Sequence, residues 1–108
     1  MFIESGTKAL RQLNNYQEVA REVKKIVNSI FRGSKVYVFG SVTKGKQTAM
    51  SDIDILIVVD GVNQDQAYEV EAKIYSAIDA PIELHVASTE EFSRWYSRFI
   101  DKLEEVPS

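Results

Sequence analysis

Four residues in this sequence have types and spacing suited to phosphate and metal chemistry: Gly40, Ser41, Asp52 and Asp54. Gly40-Ser41 closes the apolar run Val36-Tyr37-Val38-Phe39. Ten residues then separate Ser41 from Asp52-Ile53-Asp54, which leads directly into Ile55-Leu56-Ile57-Val58-Val59. A Gly-Ser turn can hold phosphate through backbone N–H groups and a hydroxyl, and two carboxylates one residue apart can hold Mg²⁺. Joined, they describe a site for a nucleoside triphosphate. Each half alone is a weak signal, because Asp commonly opens strands and turns.

The surrounding pattern says which elements must position these groups. From about Thr7 to Phe31 the sequence reads as a helix, broken or kinked near Asn14-Asn15. Val19, Val23, Ile26, Val27 and Ile30 form its buried face, and Gly33 stops it. Val36 to Phe39 is a short β-branched and aromatic strand. Ser41 to Ser51 is a polar loop with room for one helical turn after Ser41. Asp52 to Val59 is the second strand, with Ile53, Ile55 and Ile57 on one face and Asp52, Asp54, Leu56 and Val58 on the other. Both faces are apolar beyond Asp54, so this strand is central and its acids sit at the rim of a buried sheet.

A turn at Asp60-Gly61-Val62-Asn63 leads to a second helix over about Asp65 to Ile78, and a third strand covers Ile82 to Ala87. Ser88 and Glu91 have the capping-box spacing, opening a third helix expected over about Thr89 to Glu104. Its apolar positions are Phe92, Trp95, Tyr96, Phe99, Ile100 and Leu103. The loop from Ser41 to Ser51 is too short for a helical crossover, so strands one and two are expected to be antiparallel. The expectation is a single domain over residues 1–108 of α/β class (α+β type), a small mixed β-sheet packed with helices.

Composition narrows the chemistry. There is no cysteine, which excludes disulfides, zinc-thiolate sites and thiol catalysis, and the lone histidine, His85, excludes a multi-histidine metal site. A hard, oxygen-liganded ion remains, magnesium or manganese. His85 itself reads as a satisfied strand residue or part of a contact surface. Net charge is −3, split as +6 over residues 1–46 and −9 over 47–108. The acidic balance argues against nucleic acid as the main ligand. The longest apolar run, Ile55 to Val59, is far short of a membrane span, so a cytoplasmic location is expected.

The motif Gly-Ser-x10-Asp-x-Asp, with Gly-Ser after one strand and Asp-x-Asp opening the next, resembles the signature of the DNA polymerase beta-like nucleotidyltransferase superfamily. The chain is similar to its minimal nucleotidyltransferases over essentially its whole length. In that family a third acid lies on the following strand, which matches Glu83 in Pro81-Ile82-Glu83-Leu84, where many relatives have Asp. Relatives often carry arginine directly after the Gly-Ser. Here Val42-Thr43-Lys44-Gly45 keeps a basic residue and the glycine.

The resemblance implies a Mg²⁺-dependent nucleotidyltransferase that moves an NMP, AMP from ATP foremost, to an acceptor hydroxyl by a two-metal mechanism. Asp52, Asp54 and Glu83 would be catalytic and hold two Mg²⁺ ions, with Mn²⁺ as the alternative. Gly40, Ser41, Lys44 and Gly45 would bind the nucleotide, whether ATP or another NTP. Small stand-alone members resemble antitoxins that act with a helical HEPN-type partner, so such a partner is expected here, and an oligomer is compatible with it. The alternative is a non-catalytic interaction module that binds and neutralises a partner protein. An Asp-x-Asp phosphohydrolase fits poorly, because there the pair follows its strand and the Gly-Ser loop would have no role.

Overall fold

The computed structural model describes residues 2–48, 50–99 and 102–107, with the side chains of 2–6, 96, 97 and 99 left aside. Helices α1 (Phe2–Asn14) and α2 (Tyr16–Ile30) meet at Asn15, where the expected break falls. Asn15 has φ −108° and ψ 34°, outside helical geometry, while its N–H still bonds the Arg11 carbonyl at 2.9 Å. One bond of the first helix thus reaches across the bend, Glu18 starts the next helix by donating to the Asn15 carbonyl at 3.0 Å, and Leu13 and Val19 on either side both reach the core.

Strand β1 (Lys35–Phe39) is followed by a 3₁₀ turn (Ser41–Lys44), then β2 (Ile53–Val58), α3 (Gln64–Ala77), β3 (Ile82–Ala87), α4 (Thr89–Phe99) and β4 (Glu104–Glu105). The sheet order is β3-β2-β1-β4. As expected, β1 and β2 are antiparallel, whereas β2 and β3 are parallel, joined through α3 as a crossover, so the sheet is mixed. Side-chain alternation divides it into two faces. Val36, Val38, Ile53, Ile55, Ile57, Ile82 and Leu84 face α2 and α3 in the larger core. Tyr37, Phe39, Leu56 and Val58 face the other way, where Phe92, Trp95 and Leu103 cover them. Tyr37 stacks on Phe92 with centroids 4.9 Å apart, and Phe39 meets Trp95 edge-on at 5.0 Å.

Two capping boxes fix helix starts. Asn63 and Gln66 exchange side-chain-to-backbone bonds at the head of α3, and Ser88 and Glu91 do so at the head of α4. The second was legible from its spacing.

The third helix departs from expectation. Its described span is Thr89–Phe99, and Glu104–Glu105, expected at its end, instead pair antiparallel with Tyr37 and Val38. Helical spacing brought Leu103 into the pattern, and it does pack on the second core, but from the returning tail. The physical competitor is the free edge of β1. Pairing there lets Val106 donate to the Val36 carbonyl at 2.8 Å and bury its side chain to 6 % exposure. Tyr16 donates to the Glu104 carboxylate at 2.7 Å, tying the tail to α2. Of the expected stripe, Ile100 lies outside the described residues and the Tyr96 and Phe99 side chains are likewise left aside. Among the described residues no helix is long and apolar enough to cross a membrane.

Candidate functional site

The end of β1 and the start of β2 meet because their register pairs Phe39 with Asp54. Gly40, next in line, has φ +87°. That is a left-handed conformation an L side chain rarely takes. A Cβ at Gly40 would also drive into the Asp54 carboxylate, with the Asp54 Cγ only 3.2 Å away. Glycine is thus required twice over, for conformation and for space, and the Gly-Ser turn rests directly on the acid. Beyond it the 3₁₀ turn is closed by Thr43, whose hydroxyl donates to the Gly40 carbonyl at 2.8 Å, and by Gly45 at φ +66°. Ser41 is half-buried at the head of this turn and Lys44 is exposed at its end.

The parallel pairing of β2 with β3 sets Glu83 beside Asp54 and His85 beside Leu56. Since Asp54, Glu83 and His85 all point to the face covered by α4, one ligand atom from each lies within 4.8 Å of the others. The His85 Nε2 is 3.9 Å from the Glu83 Oε1. Phe39 flanks the imidazole, with ring centroids 5.4 Å apart. Asp52 is placed differently: it is exposed, precedes β2, and is outside this trio. Asp52 and Asp54 are therefore close in sequence without being equivalent in the fold.

Electrostatics follow from this crowding. Burial pushes the Asp54 carboxyl up to about 6, the hydrogen bond and negative charge of Glu83 push it the same way, His85 opposes, and Asp52 adds a smaller push. Acids held together in this way bind a proton more tightly or welcome a cation. The donor set, two carboxylates and an imidazole with a third carboxylate nearby, fits a divalent ion.

A group of cations flanks the turn. Lys102 and Lys46 stand near Lys44, and the charge of Lys102 is the first cause of a lowered Lys44 pKa. Lysines gathered next to a Gly-Ser turn suit the oxygens of a phosphate chain. Lys102 could not be found from local pattern, since only the return of the tail brings it here. A cavity of about 190 Å³ between α2 and β4, lined by Tyr16, Arg21 and Glu104 among others, contains none of these groups. The carboxylate trio lies instead on the sheet face beside α4.

Three comparisons bear on this arrangement. The family described as nucleotidyltransferase domain matches residues 20–106. A protein of Methanocaldococcus jannaschii, provisionally named a protein adenylyltransferase, is 35 % identical over 54 residues, 50 % of this chain and 54 % of that one. The chain thus spans about half the length of the curated relative it matches. A crystal structure from Sulfolobus solfataricus, provisionally a nucleotidyltransferase, superposes with a TM-score of 0.57 at 28 % identity, covering 85 % of this chain and 78 % of that one. A toxin-antitoxin structure with AMP-PNP gives 0.62 at 22 % identity, and a toxin-antitoxin MntA-HpeT mutant gives 0.63 at 17 %, each covering 82 % of this chain and 73 % of the other. At those identities the last two establish the shared fold.

Proposed function

Since the chain belongs to the nucleotidyltransferase domain family, we propose that it transfers AMP from ATP to a hydroxyl on a partner protein, with Asp52, Asp54 and Glu83 as its catalytic acids. The observation that carries this reading is the contact between Gly40 and Asp54. It couples a phosphate-binding turn to a carboxylate with no room for a side chain between them. The name of the Methanocaldococcus relative supports adenylyl transfer to protein, and the toxin-antitoxin neighbours support a protein partner, for which a HEPN-type toxin is the expected class.

In this mechanism the acceptor oxygen attacks the α-phosphorus, the bond to the bridging oxygen breaks, and pyrophosphate leaves. Asp52, Asp54 and Glu83 would hold divalent cations, Mg²⁺ or Mn²⁺, whose charge would offset that of the triphosphate and the departing pyrophosphate. Asp54, fixed by β2 and by its contact with Gly40, holds its carboxylate at the junction of turn and sheet. Glu83 would receive the acceptor proton, a role its exposure and its register with Asp54 support. Ser41 offers its hydroxyl to a phosphate oxygen, Gly40 allows close backbone approach, and Gly45 sets the turn that carries Lys44 to the phosphates. Asp52, more exposed than Asp54 and just ahead of β2, would reach the same ions from the solvent side.

The test is transfer of labelled AMP by the protein with ATP, Mg²⁺ and whatever protein copurifies, read by mass. Loss of the added AMP in the Asp52→Ala, Asp54→Ala double variant is the expected result. Persistent transfer in that variant would refute the mechanism. No transfer by the wild-type chain, together with undiminished neutralisation of the partner by the double variant, would make it an interaction module.

A further inference from the structure

The third member of the trio is a histidine, and oxygen chemistry alone does not account for it. His85 is held where its imidazole can act on the same ion as Asp54 and Glu83. Its backbone position is set by β3 pairing with β2, two residues beyond Glu83 on the same face. The ring is steadied by Phe39, which Trp95 in turn abuts. Two ligands at a metal distance of about 2.1 Å lie between about 3.0 Å apart when adjacent and about 4.2 Å when opposite. The 3.9 Å from His85 Nε2 to Glu83 Oε1 falls inside that span. No separation in the trio exceeds 4.8 Å, and side-chain movements of about 1–2 Å, within reach of small torsion changes, would bring all three atoms to the spacings one ion requires.

We propose that His85 supplies an imidazole nitrogen to the cation held by Asp54 and Glu83, so that the site takes Mn²⁺ in preference to Mg²⁺. Mg²⁺ is a hard ion that demands near-ideal oxygen octahedra and keeps its waters. Mn²⁺ shares the taste of Mg²⁺ for carboxylates and water but, as a transition ion with looser demands on geometry and donor type, it accepts an imidazole nitrogen more readily than Mg²⁺ does. This deepens the nucleotidyl-transfer reading, on which it rests for the presence of the ion. It concerns a residue outside the three acids to which that chemistry is ascribed.

The experiment titrates the full-length chain with Mn²⁺ and separately with Mg²⁺, with and without AMP-PNP, and records pulsed electron paramagnetic resonance of bound Mn²⁺. Wild-type protein is expected to bind Mn²⁺ at least about ten-fold more tightly than Mg²⁺ and to show magnetic coupling to an imidazole nitrogen. His85→Ala is expected to lose that coupling and about ten-fold or more of its Mn²⁺ affinity, with Mg²⁺ affinity changed less than about two-fold. If bound Mn²⁺ shows no nitrogen coupling in the wild type, or if no Mn²⁺ binds under either condition, the proposal is overturned. Equal Mn²⁺ affinity in wild type and a folded His85→Ala overturns it as well. Circular dichroism establishes folding of the variant, and should it not fold, the wild-type spectrum decides alone. AMP transfer that survives the Asp52→Ala, Asp54→Ala change would defeat the enzymatic reading while leaving the nitrogen coupling as a separate observation.

Discussion

Replacing Asp54 with asparagine should stabilise the metal-free protein while removing its activity. The Asp54 pKa is raised from 3.8 to about 6, first by burial and then by Glu83. A raised carboxylate contributes stability that is complete below its unfolded value and lost as pH rises through its folded value. For Asp54 the loss runs from about pH 4 to beyond pH 6, so at pH 7.5 the ionised acid weighs against folding. At about 1.36 kcal/mol per pKa unit the full effect approaches about 3 kcal/mol. Because the side chain is only partly buried, solvent screening reduces this to about 1–2 kcal/mol. Asparagine keeps the shape and discards the charge. Urea unfolding followed by circular dichroism in chelator should therefore find Asp54→Asn more stable at pH 7.5 by about 1–2 kcal/mol, with the gain vanishing near pH 4. Mn²⁺ should reverse the order, since an ion at a hundred times its Kd stabilises wild type by about 2.7 kcal/mol. A variant less stable than wild type at pH 7.5 in chelator, or a difference that ignores pH, would refute the reasoning.

Other perturbations probe the frame. Gly40→Ala meets both a positive φ and the Asp54 carboxylate; it should cost about 1–3 kcal/mol in thermal or urea unfolding and abolish AMP-PNP binding measured by calorimetry. Ile55→Ala, fully buried at the centre of β2, should destabilise by about 2–5 kcal/mol in the same assay. Burial and the hydrogen bond to Glu104 hold the Tyr16 hydroxyl up to about 12, and Tyr16→Phe removes that bond; it should cost about 1–2 kcal/mol and increase amide exchange at Val106. Lys102→Ala should weaken AMP-PNP binding several-fold and make it less sensitive to salt, with stability unchanged.

The parts of this molecule that were readable from sequence are those governed by local pattern. Alternation placed Asp54, Leu56 and Val58 on one face of β2, and the loop length made β1 and β2 antiparallel. The spacing of Gly40-Ser41 to Asp54 survives in space because the register of a hairpin-like pair is fixed by its two strands. What escaped notice depends on contacts distant in the chain. Helical periodicity continued through Leu103, and nothing local announced that the edge of β1 would draw Glu104 and Glu105 away. Lys102 was hidden for the same reason, since it reaches Lys44 only by that return. His85 was visible as a strand residue on the Glu83 face. Its nearness to Asp54 required the parallel register of β2 and β3, which no short window of sequence contains.

The absence of a side chain at Gly40 also bears on regulation. With the Asp54 carboxylate against the Gly40 backbone, the turn cannot rearrange around a phosphate without shifting the acid, nor the acid around an ion without shifting the turn. Under the proposed function, occupancy of one ligand would then depend on the other, and such dependence is symmetric: the factor by which a cation tightens nucleotide must equal the factor by which nucleotide tightens the cation. A cell that changes its supply of either ligand would thus tune the protein's hold on both.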